Sequence, residues 1–85
     1  MPELKYLRAC GEVEYGMLAS LLDDAPLLEF LYINSHTLTS IPLDRKRLPS
    51  LSRIELCFCD RLEYCEGLTG FTSLKSLVIR QCPLL

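Results

Sequence analysis

The sequence predicts an α/β solenoid. About four repeats of 23–24 residues would stack a short parallel β-sheet on the concave face against an irregular, partly helical convex side. Three observations carry this prediction. Leucine accounts for 19 of 85 residues, and no other residue type exceeds seven. Four segments share one apolar template, and their starts, Leu4, Leu28, Leu51 and Leu74, lie 24, 23 and 23 residues apart. Within each segment the strong apolar positions alternate with a period of two, which belongs to a strand and not to a helix.

The template reads P-x-L-x-x-L-x-L. Its copies are Leu4-Lys-Tyr-Leu7-Arg-Ala9, Leu28-Glu-Phe-Leu31-Tyr-Ile33, Leu51-Ser-Arg-Ile54-Glu-Leu56 and Leu74-Lys-Ser-Leu77-Val-Ile79. The fourth and sixth positions, Leu7/Ala9, Leu31/Ile33, Ile54/Leu56 and Leu77/Ile79, are expected to point inward. The first-position leucines, with Leu62 and Leu85, turn into the same core. One repeat cannot bury such a face by itself, whereas stacked repeats form a continuous ladder. Between the first two strands, Met17, Leu18, Leu21 and Leu22 fall at helical spacing and predict a helix over 14–22. Residues 35–48, with Pro42 and the charged Asp44-Arg-Lys-Arg47, read as a loop with at most one helical turn. Residues 60–71, with Gly67 and Gly70, read as irregular. Repeat 1 is degenerate, with Ala9 at the sixth position and Glu12 at the ninth. Repeat 2 carries His36 at the ninth. The last two copies continue as Cys59-x-x-Leu62 and Cys82-x-x-Leu85.

With its period and its L-x-x-L-x-L-x-x-C-x-L copies, the chain resembles the leucine-rich repeat over essentially its whole length. The phrases Leu48-Pro-Ser-Leu51-Ser-Arg-Ile54-Glu-Leu56, Phe71-Thr-Ser-Leu74-Lys-Ser-Leu77-Val-Ile79 and Cys82-Pro-Leu-Leu85 are similar to the C-terminal repeats of plant nucleotide-binding leucine-rich-repeat disease-resistance proteins. The resemblance implies a leucine-rich-repeat solenoid in the cytoplasm, serving plant defense through protein–protein interaction. The nucleotide-binding domain of those receptors has no counterpart in these 85 residues. An F-box-type ubiquitin-ligase adaptor is the alternative, since its repeats also end in Cys-Pro-x-Leu. Its longer period and regularly helical convex side fit less well. A truncated product without independent activity is compatible with either. Residues 1–85 read as a single leucine-rich-repeat segment without capping repeats, as expected of a fragment. Its open sheet edges would favour aggregation.

Composition and charge exclude several other classes. Nine Lys+Arg against 11 Asp+Glu give a net charge of −2, which disfavours nucleic acid and polybasic membrane binding. A 49% hydrophobic content suits a packed core, and no apolar run reaches the ~18 residues of a membrane span. The N-terminus lacks a signal peptide's apolar stretch. Neither a nucleophile motif nor a phosphate loop appears, and the chain has one histidine, so no enzyme activity and no cofactor are expected. Cys57-x-Cys59 with Cys65 lacks zinc-site spacing, so no metal is expected. Cys59 and Cys82 lie one repeat apart, where a small buried thiol can donate to a carbonyl at the turn. Stacking would bring their Cα atoms to about 5 Å, within disulfide range. The odd cysteine count and the missing signal peptide point instead to five free thiols in a reducing compartment.

Function is then expected on the outward sheet face. Tyr6, Arg8, Phe30, Tyr32, Arg53, Glu55, Phe58, Val78 and Arg80 fall on outward template positions. Cys57 is also expected there. Tyr and Arg are enriched in interface hot spots, so this face suits a protein partner. The resemblance makes that partner an effector, a guarded host protein or another domain of a longer parent chain. Cross-strand packing alone would also account for exposed aromatics.

Overall fold

The computed structural model describes residues 3–43, 46–63 and 74–85. Five elements follow one another. They are β1 (Tyr6–Cys10), α1 (Tyr15–Asp23), β2 (Phe30–Asn34), β3 (Arg53–Cys57) and β4 (Ser76–Arg80). The strands form one parallel sheet in chain order, β1-β2-β3-β4. The fold is therefore α/β.

The register reproduces the spacing of the repeat. Leu7 pairs with Leu31, Leu31 with Ile54 and Ile54 with Leu77. Ala9, Ile33, Leu56 and Ile79 form the second inward row. Every side chain thus stands beside the equivalent one in the next strand. Backbone bonds repeat as well. The amides of Phe30, Arg53 and Ser76 each donate to the carbonyl of the residue after the preceding repeat's first leucine, namely Lys5, Glu29 and Ser52, all at 3.0 Å.

Leu28, Leu31, Ile33, Leu51, Ile54, Leu56 and Leu62 are fully buried. Each contributes about 1.5–3 kcal/mol of transfer free energy. Leu7, Leu4 and Leu74 are partly buried against this core. Two expectations fail at the end of the sheet. Leu77 and Ile79 belong to the inward rows, yet they are 42% and 45% exposed. Among the described residues no strand lies beyond β4, and an inward row is sealed only from both sides. Leu85, expected in the core, is 46% exposed.

The helix forms one residue later than the pattern predicts. Glu14 is its N-cap but makes no side-chain capping bond, so packing rather than capping holds it. Leu18 and Leu22, one turn apart, enter the core. Met17 and Leu21 of the same predicted apolar face stay exposed. In the second return segment Leu38, Ile41 and Leu48 are buried, without a helical turn over 35–43. Of the charged run, Arg47 makes an exposed ion pair with Asp23 at the C-terminus of α1. Arg45, Cys65, Gly67, Gly70 and most of the predicted irregular segment 60–71 lie outside the described residues.

The turn that ends each strand also repeats. Gly11, Phe58 and Gln81 occupy the same template position and all have positive φ, at 90°, 54° and 55°. A left-handed residue there lets Gly11 N–H donate to Asn34 O, and Phe58 N–H to Arg80 O, both at 2.9 Å. For a bulky residue such as Phe58 this conformation is costly, by about 1–3 kcal/mol. The hydrogen bond to the neighbouring strand offsets part of that cost.

Burial and backbone geometry set the expected stabilities. Leu56→Ala should lower the urea-unfolding free energy by about 3 kcal/mol. Ile79→Ala, at the equivalent but exposed position, should cost about 1 kcal/mol or less. Gly11→Ala should cost about 1 kcal/mol through its φ alone, because an added Cβ meets nothing within 4 Å.

Candidate interaction face

The parallel register gathers the outward side chains into rows. Tyr6, Phe30, Arg53 and Ser76 form the first, and Arg8, Tyr32, Glu55 and Val78 the second. Seven of the nine predicted face residues fall in these two rows. Arg80 stands one position further along, opposite Cys57, and is exposed. Phe58 does not join the sheet face. It sits past the end of β3 in the left-handed turn, 52% exposed.

The rows are chemically continuous. The Tyr6 and Phe30 rings are 4.7 Å apart and tilted by 37°. The Arg53 guanidinium lies 4.9 Å from the Phe30 ring centroid, and that of Arg8 lies 5.0 Å from the Tyr32 centroid. Arg53 Nη2 donates to Glu55 Oε1 at 2.6 Å. Stacking and cation–π contacts of this kind hold long side chains in place, each contributing about 0.5–1.5 kcal/mol. The face therefore presents ordered rings and guanidinium groups. Arg8 Nε also donates to Cys10 Sγ at 3.4 Å. That hydrogen bond is the main cause that raises the Arg8 pKa above its ordinary value, ahead of the nearby Tyr32 and Tyr6 rings. Arg8 remains cationic throughout the physiological range.

Cys57 departs from its expected place on an open face. It alternates to the side of Arg53 and Glu55, but it is buried. Cys59 and Cys82 lie inside, as their one-repeat spacing predicts. Cys59 Sγ lies 3.7 Å from Ile33 O and 3.6 Å from Cys57 O. Cys82 Sγ lies 3.5 Å from Leu56 O and 3.4 Å from Arg80 O. Each thiol thus spans the sixth-position carbonyl of the preceding strand and the seventh-position carbonyl of its own. Burial pushes the Cys59 thiol up to about 11, against a smaller lowering by the Ser35 backbone N–H. Cys10, Cys57, Cys59 and Cys82 are free thiols, and Cys65 lies outside the described residues.

Repeat 2 carries hydroxyls at this turn, with other partners. His36, at the cysteine position, is exposed, while Ser35 is fully buried. Ser35 Oγ accepts from Thr37 N–H at 3.3 Å and lies 3.1 Å from Thr37 Oγ1. Thr37 Oγ1 donates to Val13 O at 3.3 Å and so ties repeat 2 to repeat 1. The signal available in the sequence was the Ser-x-Thr triplet, a local turn former.

Among the described residues no group of three His, Cys, Asp or Glu side chains could hold a metal ion, and no helix is long and apolar enough to cross a membrane. In comparisons with known proteins, no family model, no curated protein and no solved structure matches the chain.

The burial of the thiols sets their reactivity. An aromatic disulfide reagent should modify Cys10 at least about tenfold faster than Cys57, Cys59 or Cys82 in the folded chain. Unfolded without reductant, the chain should titrate five thiols. Raising Cys59 above its ordinary 9.0 means that the folded state holds this proton more tightly than the unfolded chain. Its contribution to stability is complete below pH 9.0 and is lost as the pH rises toward about 11. Cys59→Ser should shift or shrink that alkaline loss in pH-dependent urea unfolding.

Proposed function

We propose that this chain is a leucine-rich-repeat solenoid segment that recognises a protein partner through its concave sheet face. One observation carries the reading. An uncapped row of Tyr6, Phe30 and Arg53 runs beside Arg8, Tyr32 and Glu55, locked by ring stacking, cation–π contacts and an ion pair. Aromatic and Arg side chains that are ordered before binding lose little conformational entropy on association. They also supply the residue types that dominate interface energetics. The solenoid reading is supported by the recurring register, the left-handed turn shared by three repeats and the two equivalent thiols.

The resemblance to plant nucleotide-binding leucine-rich-repeat receptors gives this reading its biological form. The chain acts in the cytoplasm as part of the sensing region of a defense receptor. Its partner is an effector, a guarded host protein or another domain of the same receptor. It performs no reaction of its own and uses no cofactor. Arg8, Arg53 and Arg80, with Glu55 among them, suit a partner surface of mixed polarity that carries carboxylates to meet the guanidinium groups.

Peptide-display selection against the folded chain tests the face directly. Peptides selected on the native chain should bind the Phe30→Ala/Tyr32→Ala/Arg53→Ala variant at least about tenfold more weakly. The same peptides should bind a Met17→Ala/Leu21→Ala variant, altered on the helix, as well as they bind the native chain. Equal binding to the face variant, with its circular dichroism unchanged, would rule out the concave face.

A further inference from the structure

The outward face of the sheet is charged oppositely to the rest of the chain. We infer that it takes an extended segment of another protein carrying two carboxylates about 16 Å apart, one for Arg8 and one for Arg80. The inference rests on the reading of this face as a protein-binding surface and names the chemistry of its partner.

The outward positions of the four strands hold three arginines, Arg8, Arg53 and Arg80, and one acid, Glu55, for a net charge of +2. The other residues of the chain hold six basic and ten acidic groups, for a net charge of −4. All three cations of the face are arginines, although the chain also has three lysines. A guanidinium fork grips a carboxylate through two parallel N–H bonds, which an ammonium group does not do. The three arginines are exposed, whereas Phe30, Tyr32, Glu55 and Val78 between them are half-buried.

Existing contacts decide which arginines are open to a partner. Arg53 Nη2 already donates to Glu55 Oε1, whose side chain is only 18% exposed. Arg8 gives its Nε to Cys10 Sγ and keeps its Nη groups for another acceptor. Arg80 makes no ion pair and no side-chain hydrogen bond among the described residues. Three strand spacings of about 4.8 Å, with a shift of two residues along the strand, separate Arg8 on β1 from Arg80 on β4 by about 16 Å. An extended peptide at about 3.3 Å per residue spans this distance in roughly five residues. Glu55 lies beneath its middle and repels a third carboxylate there, so the residues between the two acids are uncharged.

Two other occupants fit the face less well. Phe30 lies between the Tyr6 ring at 4.7 Å and the Arg53 guanidinium at 4.9 Å, which reach it from the strands on either side. The Arg8 guanidinium lies 5.0 Å from the Tyr32 centroid. Ring faces occupied in this way are closed to the bases of single-stranded nucleic acid, which bind by stacking. A second copy of the chain using the same face would meet like charge.

Selection of random peptides on the intact chain, followed by titration calorimetry with synthetic ones, tests the inference. Peptides whose binding is lost with Phe30→Ala/Tyr32→Ala/Arg53→Ala should be enriched in two acidic residues about four to six positions apart. A blocked peptide of Ser, Thr and Val with two glutamates at that spacing should bind at least about fivefold more tightly than one with the glutamates adjacent. Arg8→Gln and Arg80→Gln should each weaken its binding at least about fivefold, with circular dichroism unchanged. Arg8→Glu/Arg80→Glu should instead prefer a peptide with two lysines at the same spacing. Face-dependent peptides without the acidic pair, indifference to glutamate spacing, or binding unaffected by both glutamine variants would overturn the inference and leave the face a protein-binding surface. Tighter binding of a uridine oligonucleotide would overturn it in favour of nucleic acid. A concentration-dependent mass that the glutamine variants abolish would place a second copy there and overturn it as well. An absence of face-dependent peptides would overturn both the inference and the reading of the face.

Discussion

The structure depends on one constraint: an inward leucine is buried only when a strand packs on each side of it. Leu31, Ile33, Ile54 and Leu56 meet this condition and are fully buried. Leu77 and Ile79 hold the same template positions but have one strand neighbour among the described residues, and almost half of each remains exposed. Position in the template therefore sets direction, and position in the stack sets burial. The parallel ladder joins the two, because it places each residue beside its equivalent one repeat away.

That stacking also explains the turns. A residue leaving a strand must present its amide to the next strand, and a left-handed conformation does so. Gly11 adopts it at little cost, whereas Phe58 and Gln81 adopt it against their own preference. Cys59 and Cys82 set small S–H groups against backbone carbonyls at this turn in the later repeats. In repeat 2 the turn is held differently: Ser35 Oγ accepts from Thr37 N–H, and the Thr37 hydroxyl donates to Val13 O. The thiols act as buried polar fillers, and the same burial that makes them fit raises the Cys59 pKa and suppresses its reactivity.

The outward face follows from the same register. Tyr6, Phe30 and Arg53 are more than twenty residues apart along the chain, yet they become neighbours because three strands pair without slippage. A slip of one residue would send them into the core and the leucines into water. Outward face and core are therefore specified together.

The sequence by itself determined the repeat, the strand positions, the inward and outward sides, the helix to within a residue and the ladder role of Cys59 and Cys82. Periodicity carries such information because each assignment depends on residues within one repeat length. Tertiary structure alone decided how deeply each equivalent residue is buried, which separates Leu56 from Ile79 and leaves Leu85 outside. It decided that Cys57 is covered although it alternates outward, and that Phe58 turns off the sheet into a left-handed bend. It also placed Ser35 inside and His36 outside, reversing the template at one repeat. Each of these outcomes depends on which strand or turn packs alongside, and a local pattern of apolar and polar residues does not encode its neighbours in space.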